Sequence, residues 1–198
     1  MNSNILFTIA FFLFFYFSLE IANRKIQVKP VITRKIAHIF SGIGAVLFSL
    51  FLTQIEFIIC VIFFLVFIVI SSSIRLLHSI HLSSGYRTGE IVYPIGLLVL
   101  ALGFYNEQVL FITGVLLLAL PDVVASLVGK RFNSESKSYI GSLAYQASSF
   151  LILIFTFPLH VAFLMSVILA VVEHISRRGL DNLTVPLFYT IILLLFKF

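Results

Sequence analysis

Tryptophan is absent from this chain of 198 residues, and cysteine occurs once. A single cysteine excludes a disulfide framework and a thiolate-held metal cluster; Cys60 stands in an apolar stretch and reads as an inert buried thiol. Charge is also scarce. Asp, Glu, Lys and Arg make up 11% of the residues, against roughly 25% in an ordinary soluble domain. No GxxxxGK[ST] phosphate loop occurs, no linker divides the chain and no internal repeat stands out. What is there is apolar: 61% hydrophobic residues, 23 of them Phe, with mean hydropathy +1.16. A surface this apolar cannot face water, so the composition predicts an integral membrane protein, all-α and polytopic, in one transmembrane domain over 1–198.

A span needs about 20 apolar residues. Runs at 4–22, 36–53, 55–74, 91–105, 107–128, 139–157, 159–175 and 183–197 predict eight helices; 91–105 and 183–197 are short, so seven is the alternative. The first run resembles a signal peptide but has no basic segment before it and no small-residue cleavage site, so it is expected to be a span. The connectors alternate in charge. Arg24, Lys25, Lys29, Arg34 and Lys35 share a side with Arg75 and Arg87, with Lys130, Arg131 and Lys137, and with Arg177 and Arg178. Of 13 basic residues, only Lys197 falls on the other side. The positive-inside rule makes the basic side cytoplasmic and puts both termini outside. Six acids, Glu20, Glu90, Asp122, Glu135, Glu173 and Asp181, sort to the same side. Orientation needs no acids there, so a charged, hydrated site at the inner face is expected. A pore would instead spread polar groups through the depth of the bilayer.

Four constellations carry that expectation. Arg34 and His38 are four apart on one helix face, and His38 lies a turn into its span, able to donate to a phosphate or to accept a proton. Asp122 is an acid within an apolar run, where such groups are paired, hydrated or metal-bound; Pro121 before it is expected to open the helix. Asp122, Ala125, Ser126 and Gly129 share a face, the small residues suiting close packing. Lys137-Ser138 and Gly141-Ser142 open the sixth run, either as an anion site at a helix N-terminus or as a snorkelling lysine with packing residues. Glu173 and Arg177 are spaced for an i,i+4 pair, Gly179 for a helix C-cap and Asp181 for an N-cap of the last run. Beyond these, Arg87 and Glu90 are expected on one face, His78 and His81 read as loop residues, and Gly42 and Gly44 as packing positions rather than a dinucleotide loop.

Arg34-Lys35-x-x-His38, Gly89-Glu90-x-x-Tyr93-Pro94, Asp122-x-x-Ala125-x-x-x-Gly129, Lys137-Ser138-x-x-Gly141-Ser142, and Glu173 followed by Asp181-Asn182-Leu183-x-x-Pro186 occur in that order between 34 and 186. Together they resemble the CTP-dependent lipid-alcohol kinases, the family of dolichol kinase, phytol kinase and the CTP-using diacylglycerol kinase, and more distantly the phosphatidate cytidylyltransferases. Pro121 stands where the family usually has Gly, and Asn133 near the place of a second Gly. The resemblance implies transfer of the γ-phosphoryl group of CTP to the hydroxyl of a lipid alcohol in the bilayer, with the nucleotide arriving from the cytoplasm and no nucleic acid involved. It implies Mg²⁺ held by Asp122 and Asp181, with Glu173 as a further candidate. Arg34, Lys35, Lys130 and Lys137, with Ser138, Gly141, Ser142 and Asn182, are expected to hold the nucleotide and its phosphates. Asp122 belongs to the catalytic set, with His38 or Glu173 taking the hydroxyl proton. Competing expectations are cytidylyl transfer to phosphatidate, a small transporter of a phosphorylated solute, and a basic-faced structural protein; the last explains neither Asp122 nor Glu173.

Overall fold

The computed structural model describes residues 3–74, 76, 77, 79, 88–132 and 137–196. Arg75, His78, His81, Arg87, Asn133, Glu135 and Lys197 lie outside the described residues. Among the described residues there are nine helices and no strand: α1 (Ser3–Ile26), α2 (Pro30–Ser49), α3 (Gln54–Ile74), α4 (Thr88–Phe104), α5 (Gln108–Ala119), α6 (Pro121–Arg131), α7 (Tyr139–Leu153), α8 (Leu159–Ile175) and α9 (Asp181–Phe196). Each of the eight apolar runs contains a helix, and the fifth contains two. Ser3–Ile26, Pro30–Ser49, Gln54–Ile74 and the composite Gln108–Arg131 are long and apolar enough to cross a membrane. Many large apolar side chains point outward, Phe14, Phe155 and Leu195 among them. In water that surface would drive aggregation; in lipid it needs no cover. The architecture is a helical membrane bundle.

The abundance of Phe is spent partly inside. Phe11, Phe12 and Phe15 of α1 meet Phe40 and Phe48 of α2, with Phe15 stacked on Phe40 at 3.9 Å between centroids. Phe12 also meets Phe64 of α3 edge-on at 5.3 Å. Such pairs contribute about 0.5–1.5 kcal/mol each beyond the area they bury. Gly42 and Gly44 are packing positions: a side chain at either would run into Ala119 or the Phe12 ring. A second core joins α3, α4, α5, α8 and α9 around Leu100, Phe111, Leu169 and Tyr189.

Two local features set the site. Pro121 divides the fifth span as expected: α5 stops at Ala119 and α6 restarts at Pro121, although the Leu120 N–H still bonds Leu116 O and Val124 N–H bonds Leu120 O. The bend therefore costs little of the hydrogen-bond ladder. The end of α8 corrects the sequence expectation. It stops at Ile175, and Ser176 is extended at ψ 130°, so Glu173 and Arg177 do not share a helix face. Gly179 is not a helix C-cap. It lies in the turn before α9, at φ +80° directly after Arg178 at φ +59°. A Cβ on Gly179 would sit 2.5 Å from Gly89 Cα, so the α8–α9 turn docks on the start of α4 only with glycine there. Asn182 completes the junction by donating from Nδ2 to Gly89 O at 2.9 Å.

Candidate active site

Four helix termini converge at one end of the bundle: the start of α6, the start of α7, the end of α8 and the start of α9. Ser138 is the N-cap of α7, its hydroxyl accepting from the Gly141 N–H at 3.1 Å. Gly141 lets α7 approach α6, since a Cβ there would lie 3.2 Å from Ala125 O. This packing carries Asp122, Glu173 and Asp181 together, one carboxylate oxygen from each lying within 4.8 Å of the other two. Lys137 lies among them. Its ammonium is 2.5 Å from Glu173 Oε1 and 3.1 Å from Asp181 Oδ2, and it also donates to the Glu173 main-chain oxygen. Those contacts match its three N–H donors. Lys137, not Arg177, is thus the partner of Glu173.

Two carboxylates at that separation repel by about 3–4 kcal/mol at an effective dielectric of about 20. Three acids and one ammonium leave a formal charge of −2. Arg34, Lys35 and Lys130 in the adjoining spaces offset part of it, and three oxygen donors suit a hard cation such as Mg²⁺. Burial by itself would push the Lys137 ammonium below its ordinary pKa. The charges of Asp181 and Glu173, with the hydrogen bonds to both, outweigh burial and leave it raised.

Two open spaces flank the cluster and share Asp122, Ser126 and Lys130. One, of about 240 Å³, is bounded by Lys137, Ser138, Gly141, Ser142 and Glu173. The other, of about 250 Å³, is bounded by Arg34, Lys35, His38, Asp181 and Asn182. Every site residue singled out from the sequence lines one or both. Lys35 Nζ is shielded from solvent and has no hydrogen-bond partner among the described residues, an arrangement that costs free energy unless an anion completes it. His38 Nε2 lies 3.0 Å from Leu118 O. A carbonyl only accepts, so Nε2 donates; in the neutral ring Nδ1 is then the acceptor.

Three side chains escaped the sequence reading. Tyr145 is fully buried and lines a small space beneath Asp122 and Asp181; its spacing of three from Ser142 on the same helix was the available signal. His174 Nδ1 lies 2.7 Å from Ser142 Oγ, and its ring stacks on Tyr139. Ser126 reads as packing but borders both spaces.

No family model matches the chain, and no solved structure matches it. It is similar to a curated protein, the phytol kinase of Synechocystis sp., at 30% identity over 188 residues, covering 85% of this chain and 80% of that protein. With that identity extending over so much of both proteins, on an apolar helical bundle with a polar end, this chain belongs to the phytol kinase family of lipid-alcohol kinases.

Proposed function

We propose that the chain transfers the γ-phosphoryl group of CTP to the hydroxyl of a prenyl-type alcohol held in the bilayer, at a site on the cytoplasmic face. The observation that carries this reading is the carboxylate cluster of Asp122, Glu173 and Asp181 around Lys137, set between two spaces walled by cations. Phosphoryl transfer is chiefly positioning and charge neutralisation, and these are what such a cluster can supply. The phytol kinase relative favours a prenyl alcohol as acceptor. The cytoplasmic placement rests on the 12 basic residues that sort to the same side as the acids.

Asp122 and Asp181, with Glu173 beside them, would hold Mg²⁺, which when bound supplies positive charge to the phosphates. Lys137 holds two of the three carboxylates in register. Lys35, Lys130 and Arg34 border the second space and take the phosphate oxygens, assisted by Asn182. Ser138, Gly141 and Ser142 present the start of α7 to the nucleotide from the first space. The alcohol oxygen attacks the γ-phosphorus as the bond to the β-phosphate oxygen breaks, and CDP leaves. Glu173 is occupied by Lys137, so the hydroxyl proton passes to Nδ1 of His38, whose Nε2–H is anchored on Leu118 O.

The test is a substrate matrix. Membranes containing the protein receive Mg²⁺, one nucleoside triphosphate at a time, and one alcohol at a time from prenols, phytol and diacylglycerol. The expected result is a lipid monophosphate from CTP with a prenyl alcohol. Absence of any phosphorylated alcohol from folded protein overturns the proposal; turnover with another triphosphate overturns its donor.

A further inference from the structure

A separate cavity of about 60 Å³ lies between α1, α2, α3 and α4. Phe12, Ala45, Phe48, Phe57, Cys60 and Phe64 supply much of its wall. Its few polar groups are Thr8, Tyr16, Ser41 and Tyr93. Thr8 bonds back to Asn4 O at 2.8 Å within its own helix. The other three also wall a neighbouring space, which reaches Arg34, His38 and Asn182. Those three in turn wall the space that contains Asp122 and Asp181. Three spaces thus adjoin in series, apolar, then mixed, then charged. Tyr16 Oη and Ser41 Oγ hydrogen-bond to each other at 2.8 Å. Tyr93 donates to His38 O at 3.3 Å and sets its ring 4.5 Å from the imidazole.

We propose that this cavity holds the hydroxyl-proximal stretch of the lipid alcohol's hydrocarbon chain, and that Tyr16, Ser41 and Tyr93 line the passage leading its hydroxyl to His38 and the carboxylate cluster. The inference rests on the kinase reading of that cluster. The polarity gradient fits an amphiphile with a long apolar body and a single hydroxyl head. The middle space has one cation, Arg34, set against one acid, Glu90, and so offers an acidic headgroup no formal excess of positive charge. The small volume admits only a short length of chain, so the remainder lies along the lipid-facing surface. Selectivity therefore concerns branching and saturation near the hydroxyl, while distal length is tolerated.

The test uses the full chain in bilayers and a prenyl alcohol carrying a diazirine within its first few carbons. After irradiation, adducts are mapped by mass spectrometry. The expected adducts fall on cavity-lining residues of α1, α2, α3 and α4, are suppressed by excess phytol, and drop about tenfold or more in Ala45→Phe, a change that fills the space. Val61→Phe fills it from α3 and is expected to act alike, and the wild-type map stands even where a variant fails to fold. Adducts on α7 or α8, or adducts indifferent to both substitutions in folded protein, overturn the proposal. The cross-link is read without turnover. Cavity adducts in a protein that phosphorylates no alcohol overturn the kinase reading and keep the cavity assignment; turnover with adducts elsewhere does the reverse.

Discussion

Lys137→Ala removes the only ammonium among the described residues that touches the carboxylates, and the distances fix the scale of the effect. At 2.5 Å and 3.1 Å from two carboxylates, the unscreened attraction is about 5–7 kcal/mol per pair at an effective dielectric of about 20. Desolvation of the ions offsets much of that, and removing one partner of a fully buried pair costs about 3–5 kcal/mol. The Lys137 side chain is 33% exposed, so solvent screening reduces the expected loss to about 2–3 kcal/mol. In a protein of this size that is a fall of about 5–10 °C in Tm. The absence of Trp rules out indole fluorescence as the probe. Cys60, buried and the sole cysteine, suits a thiol-reactive dye that lights up on unfolding. A divalent cation that binds the same carboxylates should restore part of the loss by mass action. The expected result is thus a large destabilisation in chelator and a smaller one in millimolar Mg²⁺, with turnover, measured in Mg²⁺, reduced. Equal Tm for variant and wild type in chelator would refute the reasoning.

Asp122→Asn keeps the shape and removes a charge, so turnover should fall by about 100-fold or more while insertion and Tm hold; product formation with Tm measured alongside decides it. Lys35→Met removes an ammonium that lacks a hydrogen-bond partner among the described residues. It should leave stability equal or slightly higher and raise the KM for nucleotide, read from saturation curves. Gly179→Ala forces a side chain at φ +80° against Gly89, for an expected loss of about 1–3 kcal/mol in the same dye assay. Ser138→Ala strips the cap from α7 and should cost about 1 kcal/mol, seen as a modest drop in Tm.

The spans were legible because bilayer thickness fixes the length of an apolar run, and charge sorting between connectors needs no tertiary information. Asp122 and Glu173 stood out for the same reason: an acid in an apolar run demands a partner or a ligand. Partners were not legible where they lie far off in sequence. Local spacing pointed Glu173 to Arg177, yet α8 ends at Ile175 and the actual partner, Lys137, is 36 residues away. The docking of Gly179 on Gly89 is likewise a contact between distant loops, so Gly179 read as a cap when its role is to allow that approach. Pro121 announced the break between α5 and α6, because proline alters the helix at its own position. Tyr145 gave almost no signal, since an aromatic in an apolar helix is usually packing. The cavity among the aromatics of α1, α2 and α3 cannot be seen in a pattern, because only the packed side chains define it.

The central claim is that the cluster of Asp122, Glu173 and Asp181 moves a terminal phosphoryl group. Its most direct test supplies membranes containing the protein with Mg²⁺, a prenyl alcohol and CTP labelled in parallel at the γ- or the α-phosphate. The account predicts label in the lipid from the γ position alone, reduced about 100-fold or more with Asp122→Asn. Label from the α position would mean that a nucleotidyl group is transferred, and would contradict it.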